Sequence, residues 1–322
     1  MSTAPPILGT APASRFATRS LLRPRPQPGN GLPAVTIGVP VFNAEKYLAD
    51  SLSSLLDQTF PDFELIISNN ASTDLTSEIC AEFAAIDPRV RIISQPENIG
   101  AIRNWNAVLD AARGRYFKWS SANDRVAPQL LERCVKVLER DPCVVACYGT
   151  TALIDEDGDP LGDYPHDLML MDHRPSERFI RVCMEMRLNN AQCSVIRTQS
   201  LRQSARLRPF PGGDIGLMAE LSLYGGFHKL PEPLLYRRMA RDSATKYLSD
   251  TGLLRFLDPQ LLKKRPPVAW RTHLDYLQSI AKAPIPAKEK IATLKYITRS
   301  FYWERNRLWQ ELKSSLLPTR RK

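Results

Sequence analysis

Four times between Val35 and Ser120 a short apolar run ends in a polar turn and is followed by apolar residues at helical spacing. The runs are Val35–Val41, Phe63–Ser68, Val90–Ser94 and Tyr116–Ser120, about 25 to 30 residues apart. Helical patterns follow in Tyr47, Leu48, Leu52, Leu55 and Leu56, then around Ile79 and Phe83, then from Ile102 to Leu109. A fourth, from Leu130 to Leu138, has Pro128 near its first turn. Repeated strand–helix units of this kind predict a mainly parallel sheet with helices on both faces.

The ends of these runs share a chemistry. They carry Pro40 to Asn43, Asn69-Asn70 with Ser72, Asn98 with Gly100, and Asn123-Asp124. Open α/β sheets bind ligands beyond the carboxyl ends of their strands, so this polar rim is the candidate site. Neither a GxGxxG nor a GxxxxGK[ST] stretch is present, so no glycine-rich phosphate cradle is at hand. A diphosphate bound here needs its charge met by a cation, and Asp124 is the candidate to hold one. The competing reading makes Asp124 a helix cap, a role Asp often fills. Ser72 or Thr73 is expected to cap the helix through Ile79.

Composition narrows the function classes. An apolar fraction of 43% and a charged fraction of 24% suit a globular fold with a full core. The net charge of +10 sits at the two ends. Residues 252–322 hold 16 Lys/Arg against 5 Asp/Glu, and residues 1–33 hold four Arg and no acid. A uniformly basic nucleic-acid binder would not look like this, so no nucleic-acid partner is expected. The six cysteines form no CxxC pair and no zinc spacing, which suits a reducing compartment. No apolar run approaches the length of a membrane span. Residues 1–33, rich in Pro, Ala and Arg, are expected to be a disordered leader.

The residues at the rim carry a family resemblance. Val39-Pro40-Val41-Phe42-Asn43, Ile67 through Asp74, Asn98-Ile99-Gly100 with Arg103-Asn104, and Gly114 through Asp124 resemble the inverting glycosyltransferases of family 2. The likeness resumes at Gly213-Asp214, Glu220-Leu221 and Pro231 through Arg238, so it spans about 200 residues in an order more specific than any one motif. It implies a GT-A fold, a Rossmann-like, mainly parallel central sheet with flanking helices, to which this chain adds a C-terminal helical extension. The implied domains are 34–241 for the transferase, divided into a nucleotide-sugar half (34–124) and an acceptor half (125–241), and 242–322 for the basic helical extension.

The resemblance also implies roles. A nucleotide base would lie near Pro40, Phe42 and Asn69, with Asn43, Asn98 and Arg103 nearby. Asn123 would face the ribose, and Asp124 a divalent cation, Mg²⁺ or Mn²⁺, on the diphosphate. Asp214 would be the base that takes the acceptor hydroxyl's proton, and inversion needs only one such displacement. The donor is expected to be a nucleotide sugar, UDP-sugar favoured, and the acceptor a glycan or lipid-linked glycan. The chain departs from the family pattern at Asn69, where Asp is commoner, at Asn123, where an acidic pair is commoner, and at Met239, where many relatives have His. A catalytically silent nucleotide- or glycan-binding protein, or a nucleotidyltransferase on a related sheet, are the alternative readings. The Pro211-Gly212-Gly213 turn also leaves Asp214 readable as a helix cap.

The remaining segments are simpler. Asp155 to Asp159 lacks the spacing of a calcium loop and is expected to turn a hairpin. Helical patterns are expected over 176–188, 253–262, 270–280 and 288–317. In the last, Ile291, Leu294, Ile297, Phe301, Leu308 and Leu312 fall on one side, with Lys290, Lys295, Arg299, Arg305 and Arg307 around them. Such a helix either lies on an anionic membrane surface or packs its stripe on the transferase domain. The expected location is cytoplasmic, and peripheral at the inner face of the membrane under the first of these readings.

Overall fold

The computed structural model describes residues 31–239, 250–259 and 267–316. Most of the expected leader, and the stretches 240–249, 260–266 and 317–322 of the expected extension, lie outside the described residues. Four strands, β1 (Val35–Val41), β2 (Phe63–Asn69), β3 (Val90–Ser94) and β4 (Tyr116–Trp119), stand in the order β3-β2-β1-β4 and are all parallel. Helices α1 (Leu48–Leu56), α2 (Thr76–Ile86) and α3 (Ala101–Asp110) make the crossovers between them. β1 and β2 are buried at every position, which is why they read as continuous apolar runs and not as alternating ones. Val35, Ile37 and Val39 join Leu52 and Phe83 in one core layer, while Val108, Phe117 and Trp119 belong to the other.

Beyond β4 the sheet becomes mixed. β4 pairs antiparallel with β8 (Val195–Arg197), and β8 pairs antiparallel with β6 (Val144–Ile154). β6 runs parallel to the long β9 (Gly226–Arg238), whose far edge takes the two-residue β5 (Arg125–Val126). β7 (Pro160–Asp163) folds back on β6 as the expected hairpin, with Asp155 Oδ1 accepting from the N–H groups of Asp157, Gly158 and Asp159. Around this half lie α4 (Leu130–Arg140), α5 (Pro175–Glu185), the short α6 (Thr198–Gln203) and α7 (Gly213–Tyr224).

The described C-terminal helices pack on that second half. They are α8 (Asp250–Leu257), α9 (Val268–Lys282), α10 (Ala287–Trp303) and α11 (Arg305–Leu316). α9 lies along α7, where Asp275 ion-pairs with Arg208, itself 3.7 Å from Glu220 of α7. α10 lies along α5, and its buried Glu289 accepts from Ser176 Oγ at 2.6 Å. The single helix expected over 288–317 is broken at Glu304. The break lets α11 turn back so that Glu311 accepts the first-turn N–H of Ala269 at 2.9 Å, capping α9 from outside, while Leu308 buries.

Two further expectations need correcting. α2 begins at Thr76, not after Ser72 or Thr73; Asp74 takes the Thr76 N–H at 3.0 Å and Glu45 takes that of Leu75. The stripe assigned to 288–317 does not face one way, since Ile297 and Leu308 are buried but Ile291 and Leu294 are exposed.

The close approach of β1 and β4 depends on Gly114. A Cβ there would sit 2.5 Å from Thr36 N and 2.7 Å from the Val35 carbonyl carbon, both backbone atoms that cannot swing aside. Gly114→Ala is expected to destabilise the fold by about 1–3 kcal/mol, read as a lower urea midpoint at unchanged slope.

Candidate functional site

The parallel strands deliver their carboxyl ends to one rim, as the sequence led us to expect. Pro40 is buried at the end of β1, with Ser68 as its register partner, and Val41 is opposite Asn69. Phe42 follows with its ring 44% exposed. Asn43 takes a positive φ of 48°, a conformation Asn tolerates better than most residues. Its Oδ1 accepts from Thr73 N–H at 2.9 Å, and its N–H donates to Ser72 Oγ at 3.0 Å. Ser72 and Thr73 therefore join the loops after β1 and β2 and cap no helix.

Asn69 and Asn98 are also occupied with loop geometry. Asn69 donates to Ser77 Oγ at 2.9 Å and accepts from Ser72 N–H at 3.1 Å. Asn98 Oδ1 accepts from Asn70 Nδ2 and from Gly100 N–H, each at 2.9 Å. Asn70 Oδ1 in turn takes the Ile99 N–H at 2.9 Å, so this buried amide holds the loop before α3. Arg103, on α3, is partly exposed and forms an ion pair of 3.3 Å with Asp258, just past α8. The helices after residue 242 thus reach the same rim as the strand ends.

Asp124 is not a cap. α4 begins at Leu130, with Gln129 at its N-cap position, and Asp124 Oδ1 instead accepts the backbone N–H of Arg238 at 2.9 Å. Burial pushes the Asp124 carboxyl above the usual carboxylate range, while the Arg238 N–H and the charges of Arg237, Lys118 and Arg238 pull it back down. Lys118, in β4 beneath it, is completely buried and donates to the carbonyls of Cys193 at 2.7 Å and Trp119 at 3.1 Å. Burial depresses the Lys118 ammonium below its ordinary range.

Asp214 lies in the first turn of α7, behind a left-handed Gly212 that occupies the N-cap position without a side chain to offer. Its carboxylate takes a bond of 3.1 Å from Asn189 Nδ2. The orientation of that amide is set by its other end, because Asn189 Oδ1 caps the 3₁₀ turn Asn190–Cys193 by accepting the Gln192 N–H at 3.2 Å. The next residue, Asn190, is buried and accepts from Arg237 Nη1 at 2.6 Å while donating to Asp167 Oδ1 at 2.9 Å. Adjacent asparagines thus connect the Asp214 carboxylate to the Arg237 guanidinium, whose charge is felt at Asp124.

Three of these residues, Arg238, Asn189 and Asn190, were not singled out by sequence reasoning. Arg238 is the most connected side chain at the rim. Its guanidinium donates to the carbonyls of Asn123 at 3.0 Å, Asp155 at 3.1 Å and Glu156 at 2.8 Å, and to Asp50 Oδ2 at 2.7 Å. It also lies over the Tyr47 ring, 4.6 Å from the centroid. The Tyr236-Arg237-Arg238 string was the available signal, read as part of a motif and not as a pair with separate tasks.

A divalent cation fits here only on restricted terms. Among the described residues no three His, Cys, Asp or Glu side chains gather into a metal cage. Asp124 offers one carboxylate oxygen not engaged by Arg238 N–H, and Met239, the residue after Arg238, is a poor ligand for a hard ion. One carboxylate completed by substrate phosphates is a common way to bind Mg²⁺, so the residues suit a cation that arrives with a diphosphate.

Comparison with known proteins matches this rim. A putative teichuronic acid biosynthesis glycosyltransferase of Bacillus subtilis, TuaG, is 33% identical over 137 residues, 42% of this chain and 54% of that protein. An uncharacterized glycosyltransferase of Haemophilus influenzae is 37% identical over 124 residues, 38% of each chain. The hyaluronan synthase of Pasteurella multocida is 34% identical over 129 residues, 40% of this chain but 13% of that protein. The chain thus spans about half or less of the length of these relatives. The crystal structure of residues 1–349 of S. aureus TarS in complex with UDP-GlcNAc shares the fold, with a TM-score of 0.58 at 17% identity, covering 84% of this chain and 74% of that one. The family model for glycosyl transferase family 2 matches residues 36–202, just over half of the chain and all of the parallel strands, so this protein belongs to the family 2 glycosyltransferases.

Proposed function

We propose that the protein moves one sugar from a nucleoside diphosphate sugar to a hydroxyl of a glycan or lipid-linked glycan, with inversion at the anomeric carbon. The observation that carries this reading is that Asp124 and Asp214, each readable from sequence as a cap, are both free of that task and are joined through Asn189, Asn190 and Arg237. A UDP-sugar is the favoured donor, supported by a TarS structure whose ligand is UDP-GlcNAc. The names of the relatives, in teichuronic acid and hyaluronan synthesis, favour a polysaccharide as product.

In this reading the loops after β1, β2 and β3 bind the nucleoside. Phe42 offers its exposed ring, Pro40 and Asn69 shape the floor, and Asn43 and Asn98 keep the loops in register. Arg103 closes one side, and Asn123 hydrogen-bonds the ribose. Asp124, with diphosphate oxygens, would hold Mg²⁺ or Mn²⁺, which stabilises the charge left on the departing phosphate. Arg237 adds a fixed positive charge beside that position. Asp214, held by Asn189, takes the proton as the acceptor hydroxyl attacks. A single displacement needs no second carboxylate and no covalent intermediate.

Thermal melting against UDP, GDP, dTDP and CDP, with and without Mg²⁺ or Mn²⁺, tests donor and cation together. A saturating ligand at 100 times its dissociation constant adds about 2.7 kcal/mol, a visible rise in Tm. One nucleotide should give a cation-dependent rise that Asp124→Ala removes. A rise that is the same in EDTA would take the cation out of the reading.

Asp214→Asn should lower kcat by about 10²- to 10⁴-fold while the nucleotide-induced rise in Tm persists. Retained transfer in that variant would reject Asp214 as the base.

Asn189 is a positioning residue with its own signature. Asn189→Ala should cost about tenfold or less in kcat, the worth of one hydrogen bond. Asn189→Asp keeps the acceptor for Gln192 but sets a second negative charge beside Asp214. The acid limb of the kcat/KM profile should then move to higher pH, because a neighbouring anion disfavours the ionised base. An unmoved profile would mean that Asn189 only caps the 3₁₀ turn.

A further inference from the structure

The helix α10 faces the wrong way for a helix that only packs on its own domain. Its buried positions are Glu289, Thr293 and Ile297, and Ser300, on the same side, accepts or donates a bond of 3.0 Å with the buried His273. Its solvent side carries Ile291, Leu294 and Tyr302, which are 54%, 39% and 65% exposed. Positions 291, 294, 298 and 302 form one stripe at helical spacing, so these apolar groups are contiguous and outward. Trp303 and Trp309, each 60% exposed, extend the apolar surface across the break into α11. The two helices have seven Lys/Arg against three Glu, and one of those three, Glu289, is buried. Exposed Lys288, Lys295 and Arg299 flank the stripe on the same helix. Arg305 lies 4.4 Å from the Tyr302 ring centroid, and Lys313 Nζ lies 5.3 Å from that of Trp309.

We infer that this face docks on the surface of an anionic lipid bilayer, lying in the plane of the headgroups. Aliphatic side chains on the outward stripe, aromatic rings at the interface and cations around them are the pattern of an in-plane helix on acidic lipid. Among the described residues no helix is long and apolar enough to cross a membrane, so the attachment is to one surface. A second copy of this chain is a poorer occupant, because a self-paired face would set the same cations against one another. The inference does not depend on which residue is the base or on which sugar is moved.

Sedimentation of the full chain with vesicles tests it. Vesicles of phosphatidylcholine mixed with phosphatidylglycerol should bind at least about tenfold more tightly than phosphatidylcholine alone, and salt should weaken the binding. Replacing Trp303 and Trp309 by Ala should weaken it by about tenfold or more, with melting unchanged because both rings are exposed. The triple variant Lys288→Glu, Lys295→Glu, Arg299→Glu should weaken binding to the acidic vesicles and leave any residual binding insensitive to their charge. Should that triple variant melt early, Lys→Gln and Arg→Gln at the same positions give the same reading with less repulsion. No binding to acidic vesicles, or equal binding to both kinds, would overturn the inference. So would a lipid-free dimer of the wild-type chain, seen by light scattering, that the Trp→Ala pair dissolves, since the face would then belong to a second copy.

Discussion

The buried Arg238 guanidinium is the interaction on which the rest of the rim depends. It gathers three backbone carbonyls, from Asn123, Asp155 and Glu156, and one carboxylate, Asp50, around a single planar group. Those partners come from the loop after β4, the hairpin after β6, and α1, three segments with no ladder between them at this point. Guanidinium suits this task because its donors are fixed in a fork and it stays charged when desolvated. Hydrogen bonds to a charged group contribute about 1.5–3 kcal/mol each, and stranding the buried partners would cost more than the bonds return. The backbone N–H of the same residue binds Asp124. One residue at the end of β9 thereby fixes both the chain around Asp124 and the carboxylate itself.

A similar economy holds Asp214. Its helix, α7, is short of polar anchors at its start because Gly212 occupies the N-cap position. The anchors come from outside: Asn189 at the carboxylate, and Arg208 with Asp275 of α9 along the body of the helix. Gly216 permits that approach, since a Cβ there would sit 2.8 Å from Asp275 Oδ2. The C-terminal helices are therefore part of what orients the proposed base. The contact between Arg103 and Asp258 ties them to the nucleotide side as well.

How much of this was legible in the sequence depends on the range over which each interaction acts. β1 and β3 fall where their apolar runs begin and end, because a strand buried on both faces writes its limits directly into composition. The gathering of Asn69, Asn98 and Asp124 at one rim follows from parallel strands, whose ends must share an edge. The assignment of caps failed at Thr76 for a different reason. Asp, Ser and Thr at a strand end can serve the next helix or the neighbouring loop, and only the fold decides which N–H is closer. Ser72 went to Asn43, and Asp74 went to the helix. Arg238, Asn189 and Asn190 act across 47 to 188 residues or through an adjacent turn, and no periodicity records such pairings. Their types were visible; their partners were not.

The reading of residues 288–317 shows the limit of apolar spacing more sharply. A stripe was expected to point one way, but the break at Glu304 and the polar contacts of Glu289 with Ser176 rotate α10 so that its carboxylate goes in and its aliphatic groups go out. A buried Glu with Ser Oγ, Ser N–H and Arg174 around it is well paired, and this pairing sets the rotation of the helix. Hydrophobic burial within the chain would choose the opposite rotation. The difference in apolar exposure is left to be covered by something outside the described residues. A helix held by directional polar bonds on one side and left apolar on the other is thus oriented by its own domain to present that surface, with the cations already beside it.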